Sequence, residues 1–485
     1  MIKSSRSIFI GGCVLAGACG PLAVAQDDAA APAEAAFVRI LPVDEPFETV
    51  RVETAAGTLV GEASGDVNVF RGVPYAAAPV GGLRWKPPQP VEPWAGLRAA
   101  LAFEPPCPQP VAANESVPNQ GGVAGVQSED CLYLEVYAPA EAENAPVVVW
   151  MHGGGFFLGA GHLGSYVGTS NAEKGVITVS INYRLGALGS FAHPAITAEE
   201  GAAGSYATMD GVAALEWVRD NIAAFGGNPE NVTIAGQSAG GVMVVNLLAA
   251  PSAKGLFDKA VVQSGAYMSP GMSIETAETK AVAALGAIGV DADADADALR
   301  SVSAQTLSYA PGLRRGFGPV IVDGEFFSES PKDVFEAGAE ADVPLLVGAN
   351  NGESGFHAAR KLAALAGDEG AGAWLYRFDY VPAFREAEWP GGAIHSAELM
   401  YTFDSIETSG WSMGKTDEVD DAVADLVSSC WVAFYKMAPD ADEIECADGF
   451  TWPAYDEAGD AVAQFTGAVT VGKASQLPDG PPPAD

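Results

Sequence analysis

The chain has 485 residues, 48% of them hydrophobic, and its mean hydropathy is slightly positive. That supplies a large buried core, and 57 Gly with 33 Pro indicate an ordered fold with many turns. A formal net charge of −37 and a pI near 4.3 exclude the basic footprint of a nucleic-acid-binding protein; acidity of this size speaks to solubility, self-repulsion and salt tolerance, not to fold.

Lys3 and Arg6 form a positive n-region, Ile8 to Ala18 is short and apolar, and Ala23-Val24-Ala25 fits a cleavage site before Gln26. Residues 1–25 are expected to be a signal peptide, so export to a periplasm or the medium is predicted. The alternative is a lipoprotein anchored on Cys19, against which Ala16-Gly17-Ala18 lacks the usual Leu at its first place. No other run is long and apolar enough to span a bilayer. Residues 26–48, rich in Ala, Pro and acids, read as a flexible lead-in, and 471–485 as a Pro-rich tail. Between them, 49–470 shows no compositional break and reads as a single domain.

VRVETAAGTLVGEA (50–63) predicts a hairpin turning at Ala56-Gly57. The runs LYLEVYAP, PVVVWMH, VITVSINYR, NVTIAG, DKAVVQSG and VPLLVGAN are apolar and β-branched, the pattern of strands buried on both faces. Helical spacing separates several of them. In GVAALEWVRDNIAAFGG, Leu215, Val218, Ile222 and Phe225 fall on one face and Gly226-Gly227 stop the helix. This alternation predicts an α/β fold, a central, mostly parallel sheet flanked by helices, with its ligand site beyond the carboxyl ends of the strands. DADADADAL (291–299) has Ala296 and Val302 where a calcium loop needs Gly and Glu, so it reads as the acidic start of a helix carrying Leu299 and Val302.

Four Cys remain after the signal peptide: Cys107, Cys131, Cys430 and Cys446. In an exported protein they imply two disulfides among three possible pairings. The nearest-neighbour pairing, Cys107–Cys131 and Cys430–Cys446, is expected, each loop contributing about 3 kcal/mol in the loop-entropy account.

The chemistry centres on GQSAGG, Gly236 to Gly241, between the apolar run NVTIA and the apolar stretch VMVVNLLAA. A strand turning sharply into a helix pushes Ser238 outward, and small neighbours let the backbone pass; the helix amides from Ala239 onward aim at charge forming there. A Ser hydroxyl needs a base. The chain holds five His, at 152, 162, 193, 357 and 395, and the order Ser, acid, His leaves His357 and His395. Glu353 follows the strand VPLLVGAN. His357 lies four residues beyond it on the same expected helix, so His395, in GGAIHSAEL, is the preferred base. HGGGFFLGAG (152–161) follows a strand, and its glycines let backbone N–H groups converge; Gly154, Gly155 and Ala239 are expected to supply an oxyanion hole.

Over residues 48–470 the sequence resembles the type-B carboxylesterase/cholinesterase family of α/β-hydrolases. The likeness is carried in order by VFRGVPYAAAPVGGLRWKPP, EDCLYLEVYAP, VVVWMHGGGFFLG, VSINYRLGALGSF, AAFGGNPENVTIAGQSAGG, GLFDKAVVQSG and GAIHSAEL. It implies a triad of Ser238, Glu353 and His395, a hole of Gly154, Gly155 and Ala239, a Cys107–Cys131 bridge, and no metal or organic cofactor. It implies a serine carboxylesterase acting on small or bulky esters. The same machinery would serve an amide, lactone or carbamate, and a non-catalytic binding protein of the family would typically lack triad members. Three departures stand out. Gln237 precedes the nucleophile where Glu is common, residues 108–130 contain no aromatic to hold a quaternary ammonium, and 42 residues separate Glu353 from His395. The short segment predicts a shallower, more open pocket, and choline esters are not expected. The Cys430–Cys446 pair matches no bridge of the family.

Overall fold

The computed structural model describes residues 48–481 except 119, 202, 203, 439, 440, 442, 447 and 448, and for 368 and 369 the backbone alone. The expected signal peptide, Cys19, the lead-in up to residue 47 and the last four residues of the tail lie outside the described residues.

Thirteen strands among the described residues form one sheet. In chain order they are β1 (Glu48–Thr54), β2 (Gly57–Ser64), β3 (Val67–Pro74), β4 (Leu97–Ala99), β5 (Tyr133–Pro139), β6 (Ala145–Met151), β7 (Ile177–Ile181), β8 (Gly227–Gln237), β9 (Lys259–Gln263), β10 (Leu345–Asn350), β11 (Ala373–Phe378), β12 (Ala461–Phe465) and β13 (Val469–Lys473). Their spatial order is β1-β2-β3-β5-β7-β6-β8-β9-β10-β11-β12-β13, with β4 beside β2. Seven neighbours, from β7 through β6 and β8 to β12, run parallel. The strands on both flanks pair antiparallel, β1 and β2 forming the N-terminal hairpin, except that β4 lies parallel to β2.

That hairpin turns on Ala55-Ala56 rather than Ala56-Gly57, and Gly57 opens the second strand. Its φ of +150° and the approach of Trp94 explain the glycine, because a Cβ there would meet the indole at 2.6 Å. The sheet also runs past residue 470: β13 pairs with β12, and Arg377 donates to the carbonyl of Pro478 at 2.8 Å. Part of the expected tail therefore belongs to the folded domain.

The parallel strands are buried on both faces, as their continuous apolar runs demand. Along β6, Val147, Val149 and Met151 enter one core cluster, whereas Val148 and Trp150 enter the cluster on the opposite face. Helix α1 (Tyr206–Asn221) continues as a 3-10 turn through Phe225; Leu215, Val218, Ile222 and Phe225 are all buried and Gly226 ends it at φ +84°. Helix α2 (Ala239–Ala249) follows β8 and has one partly exposed side chain, Val242, on an otherwise buried cylinder. Helix α3 (Phe356–Glu369) lies between β10 and β11, and α4 (Glu418–Lys436) starts on a capping box of Asp417 and Asp420. In the acidic run, Asp295 caps the turn Ala296–Arg300 by accepting from the Ala298 N–H at 2.8 Å, and Leu299 is buried. Cys107 is bonded to Cys131 and Cys430 to Cys446. Among the described residues no helix is long and apolar enough to cross a membrane.

One buried ion pair ties the loop after β7 to α1. Arg184 reaches Asp210 through Nη2 at 2.7 Å and Nε at 2.9 Å, and its backbone N–H also donates to that carboxylate at 2.9 Å. Burial pushes the Asp210 carboxyl up and the adjacent guanidinium pulls it back down. Removing the carboxylate leaves an enclosed cation without its counter-charge. Asp210→Ala should therefore lower the unfolding free energy by about 3 to 5 kcal/mol in urea titration, whereas a surface change such as Asp220→Ala should cost about a tenth of that.

Candidate active site

The carboxyl ends of three parallel strands converge on one small region. Ser238 is the first residue after β8 and stands between that strand and α2. Its φ of +57° and ψ of −122° are strained for a residue with a Cβ. The surroundings hold it there. Its N–H donates to the Gln263 carbonyl of β9 at 2.8 Å, and its own carbonyl accepts from Val242 in α2 at 2.9 Å. The close passage needs glycine at Gly240, where a Cβ would drive into the Met151 carbonyl of β6, and at Gly265, where it would meet the Ser238 carbonyl at 2.6 Å.

Glu353 lies just past β10. One carboxylate oxygen accepts from the Asn350 N–H at 3.0 Å and from the Ser264 hydroxyl. The other pairs with His395 Nδ1. The loop bearing His395 is tied to the same β10 terminus: Ala393 accepts from the Gly352 N–H at 2.8 Å and donates to Asn351 Oδ1 at 2.7 Å, while Asn350 Nδ2 donates to the Ile394 carbonyl at 2.8 Å. His395 Nε2 then stands 2.7 Å from Ser238 Oγ. With Nδ1 donating to Glu353, the hydroxyl donates to Nε2. Thus three side chains separated by 115 and 42 positions form one hydrogen-bonded row. His395 is one-third exposed and Glu353 is mostly covered.

Electrostatics tune the imidazole. Burial works against its cationic form, but the Glu353 hydrogen bond and charge, with the charge of Glu398, outweigh that and leave its pKa above the ordinary His value. Glu398 was not singled out by the sequence. It is fully buried three positions beyond the His and accepts from Asn350 Nδ2 at 2.6 Å and Gln263 Nε2 at 3.4 Å. Burial, then repulsion from Glu353, push it up to about 7. Ser264 was also missed. The signal available was the polar pair Gln263-Ser264 ending an otherwise apolar strand. Gln237 is buried, with Nε2 3.4 Å from His395 Nε2, so a neutral amide stands where a carboxylate would add another negative charge.

The glycine loop after β6 packs against this turn. Gly154, Gly155 and Phe156 carry φ of +110°, +64° and +62°, and the Gly154 carbonyl accepts from Leu158 N–H at 3.0 Å, closing a tight reversal. A Cβ on Gly153 would lie 2.9 Å from Gln237 Oε1, which sets the loop beside the residue preceding Ser238. The other His are elsewhere. His152 is buried against the Tyr183 ring at 4.3 Å and burial lowers its pKa to about 4. His357 is exposed on α3, its backbone N–H donating to Asp479 at 3.1 Å. His162 stacks on Phe103, and His193 caps the helix Pro194–Glu200.

A family model described as the carboxylesterase family matches residues 48–369. The chain belongs to the carboxylesterase family. It is 34% identical over 471 residues to a para-nitrobenzyl esterase of Bacillus subtilis (strain 168), covering 84% of this chain and 92% of that protein. It is 38% identical over 314 residues to a fumonisin B1 esterase of Sphingopyxis macrogoltabida, covering 62% of this chain and 55% of the relative. Among solved structures, a PNB esterase superposes with a TM-score of 0.76 at 31% identity, covering 87% of this chain and 96% of the other. A Geobacillus stearothermophilus carboxylesterase gives 0.73 at 30% identity, covering 87% and 97%. These relatives make the chain an α/β-hydrolase and a carboxylic ester hydrolase.

Because the Glu398 charge favours the imidazolium, Glu398→Gln should move the His395 titration to lower pH. Proton NMR of the ring resonances checks this; a midpoint that stays or rises would remove Glu398 from the electrostatics of the site.

Proposed function

We propose that this carboxylesterase works through an acyl-enzyme on Ser238, with His395 as base and Glu353 as the acid that orients it. The observation carrying the reading is the single imidazole bridging Ser238 Oγ at 2.7 Å and the Glu353 carboxylate. Ser238 Oγ attacks the ester carbonyl as its proton passes to His395 Nε2. Glu353 keeps the ring in the required tautomer and stabilises the imidazolium. Ser264 and the Asn350 N–H hold Glu353 in turn, so the carboxylate cannot swing away as charge develops. The N–H groups of Gly154, Gly155 and Ala239 are the donors to the oxyanion: two from the reversed glycine loop, one from the start of α2. His395 protonates the departing alcohol, and water then attacks the acyl-enzyme by the same proton route.

The raised His395 pKa means that activity appears only as pH climbs through that value, since the base must be neutral. The short segment between Glu353 and His395 contains α3 and β11, leaving little chain for a roof, and supports an open site that admits bulky esters. Relatives named for para-nitrobenzyl and fumonisin B1 esters fit such breadth. The loop between Cys107 and Cys131 has no aromatic side chain, which disfavours choline esters. Two disulfides support export, where such bonds persist.

Ser238→Ala should reduce p-nitrophenyl acetate turnover by about 10⁴-fold or more and abolish covalent labelling by a fluorophosphonate. Unchanged turnover or labelling would reject the assignment.

A further inference from the structure

An unpaired cation stands beside the glycine loop. Arg315 is exposed, and its guanidinium carbon lies 4.3 Å from the centre of the Phe157 ring. Phe157 in turn packs on the proposed oxyanion loop: its ring lies 2.8 Å from where a Gly155 Cβ would stand. The guanidinium is therefore separated from an oxyanion donor by one aromatic ring.

Both partners are anchored to one segment. Phe156 accepts from the Gly186 N–H at 2.7 Å. Four residues on, the Ser190 carbonyl accepts from the Phe317 N–H at 3.3 Å and its hydroxyl donates to the Gly318 carbonyl at 2.7 Å. The Arg315 loop is closed on itself by Gly316 N–H to the Leu313 carbonyl at 2.8 Å, with Leu313 and Phe317 buried as its feet. The side chain projects from a fixed base, so little loop ordering remains when it meets a ligand.

A guanidinium seated on an aromatic ring has its face occupied and its N–H edges free. Among the described residues the Arg315 side chain makes no ion pair and no hydrogen bond, and its recorded partner is the Phe157 ring. In a chain with 62 acidic and 25 basic residues, a cation left without a carboxylate at this place is available to an incoming one. The acidic surface as a whole repels anions, but that field is screened beyond about 8 to 10 Å at ordinary salt, while a carboxylate touching Arg315 is not.

We propose that Arg315 determines specificity for esters that carry a second, free carboxylate: the half-esters of dicarboxylic and polycarboxylic acids. The inference rests on the acyl-enzyme reading above. The guanidinium edge takes the free carboxylate while the scissile carbonyl lies over Ser238. Arg315 acts through binding alone and touches no reacting atom.

The test compares monoethyl adipate and monoethyl suberate with the corresponding diethyl esters, following ethanol release by the full-length enzyme. In Arg315→Ala the ratio of kcat/KM for half-ester to diester should fall about 5- to 10-fold, the loss residing in KM. Arg315→Lys should retain part of the ratio. An unchanged ratio, or an equal loss for both kinds of ester, overturns the proposal while leaving the esterase reading intact. Should neither kind of ester be turned over and Ser238 take no fluorophosphonate, both readings fall. If Arg315→Ala does not fold, the unmodified enzyme carries the test: its half-ester preference should shrink as salt rises from 20 to 500 mM, concentrations set by the screening length, and a salt-independent ratio overturns the proposal.

Discussion

The position of Ser238 depends on a backbone crowding that glycine alone relieves. At the end of β8 the chain must reverse into α2 within a single residue, while the β6 terminus and the β9 terminus press from either side. Met151 leaves no room for a Cβ on Gly240, and Gly265 must pass the Ser238 carbonyl. The strain at φ +57° is held by the Gln263 carbonyl on one side and the first turn of α2 on the other. The result is a hydroxyl fixed at the mouth of the sheet with the amino end of a helix directly behind it.

From that point the site is assembled by strand order. β8, β9 and β10 are neighbours, so Ser238, Ser264 and Glu353 emerge side by side though they are distant in the chain. The β10 terminus does double work: Asn350 holds Glu353 with its N–H and, with its side chain, the His395 loop and Glu398. A small movement of β10 would therefore disturb Glu353, His395 and Glu398 together. The parallel strands resist it because their side chains enter two separate cores, one on each face.

Charge is distributed unevenly around this frame. The chain is strongly acidic, and the hydrogen-bonded row contains one partly exposed imidazole near two carboxylates, of which Glu398 is fully buried. Gln237 supplies shape without a third negative charge next to Nε2. Within the glycine loop, the Phe157 ring carries the guanidinium of Arg315 at 4.3 Å.

The sequence by itself determined the parallel core, the elbow and the side chains that meet it, because those depend on local rules: apolar runs long enough for buried strands, glycines where side chains would collide, and a fixed order of Ser, acid and His. It also singled out Glu353 over other acids from its place after VPLLVGAN, and His395 over His357, whose helix carries it to Asp479 instead. Only the tertiary structure decided the roles of Ser264, Asn350 and Glu398, since nothing in their local pattern separates them from ordinary polar residues; their partners are brought in by strands far away in the chain. The extension of the sheet through β13 and the seating of Arg315 on Phe157 were likewise invisible in one dimension. Proximity across a sheet is a property of strand order, and strand order is set by how the whole core packs.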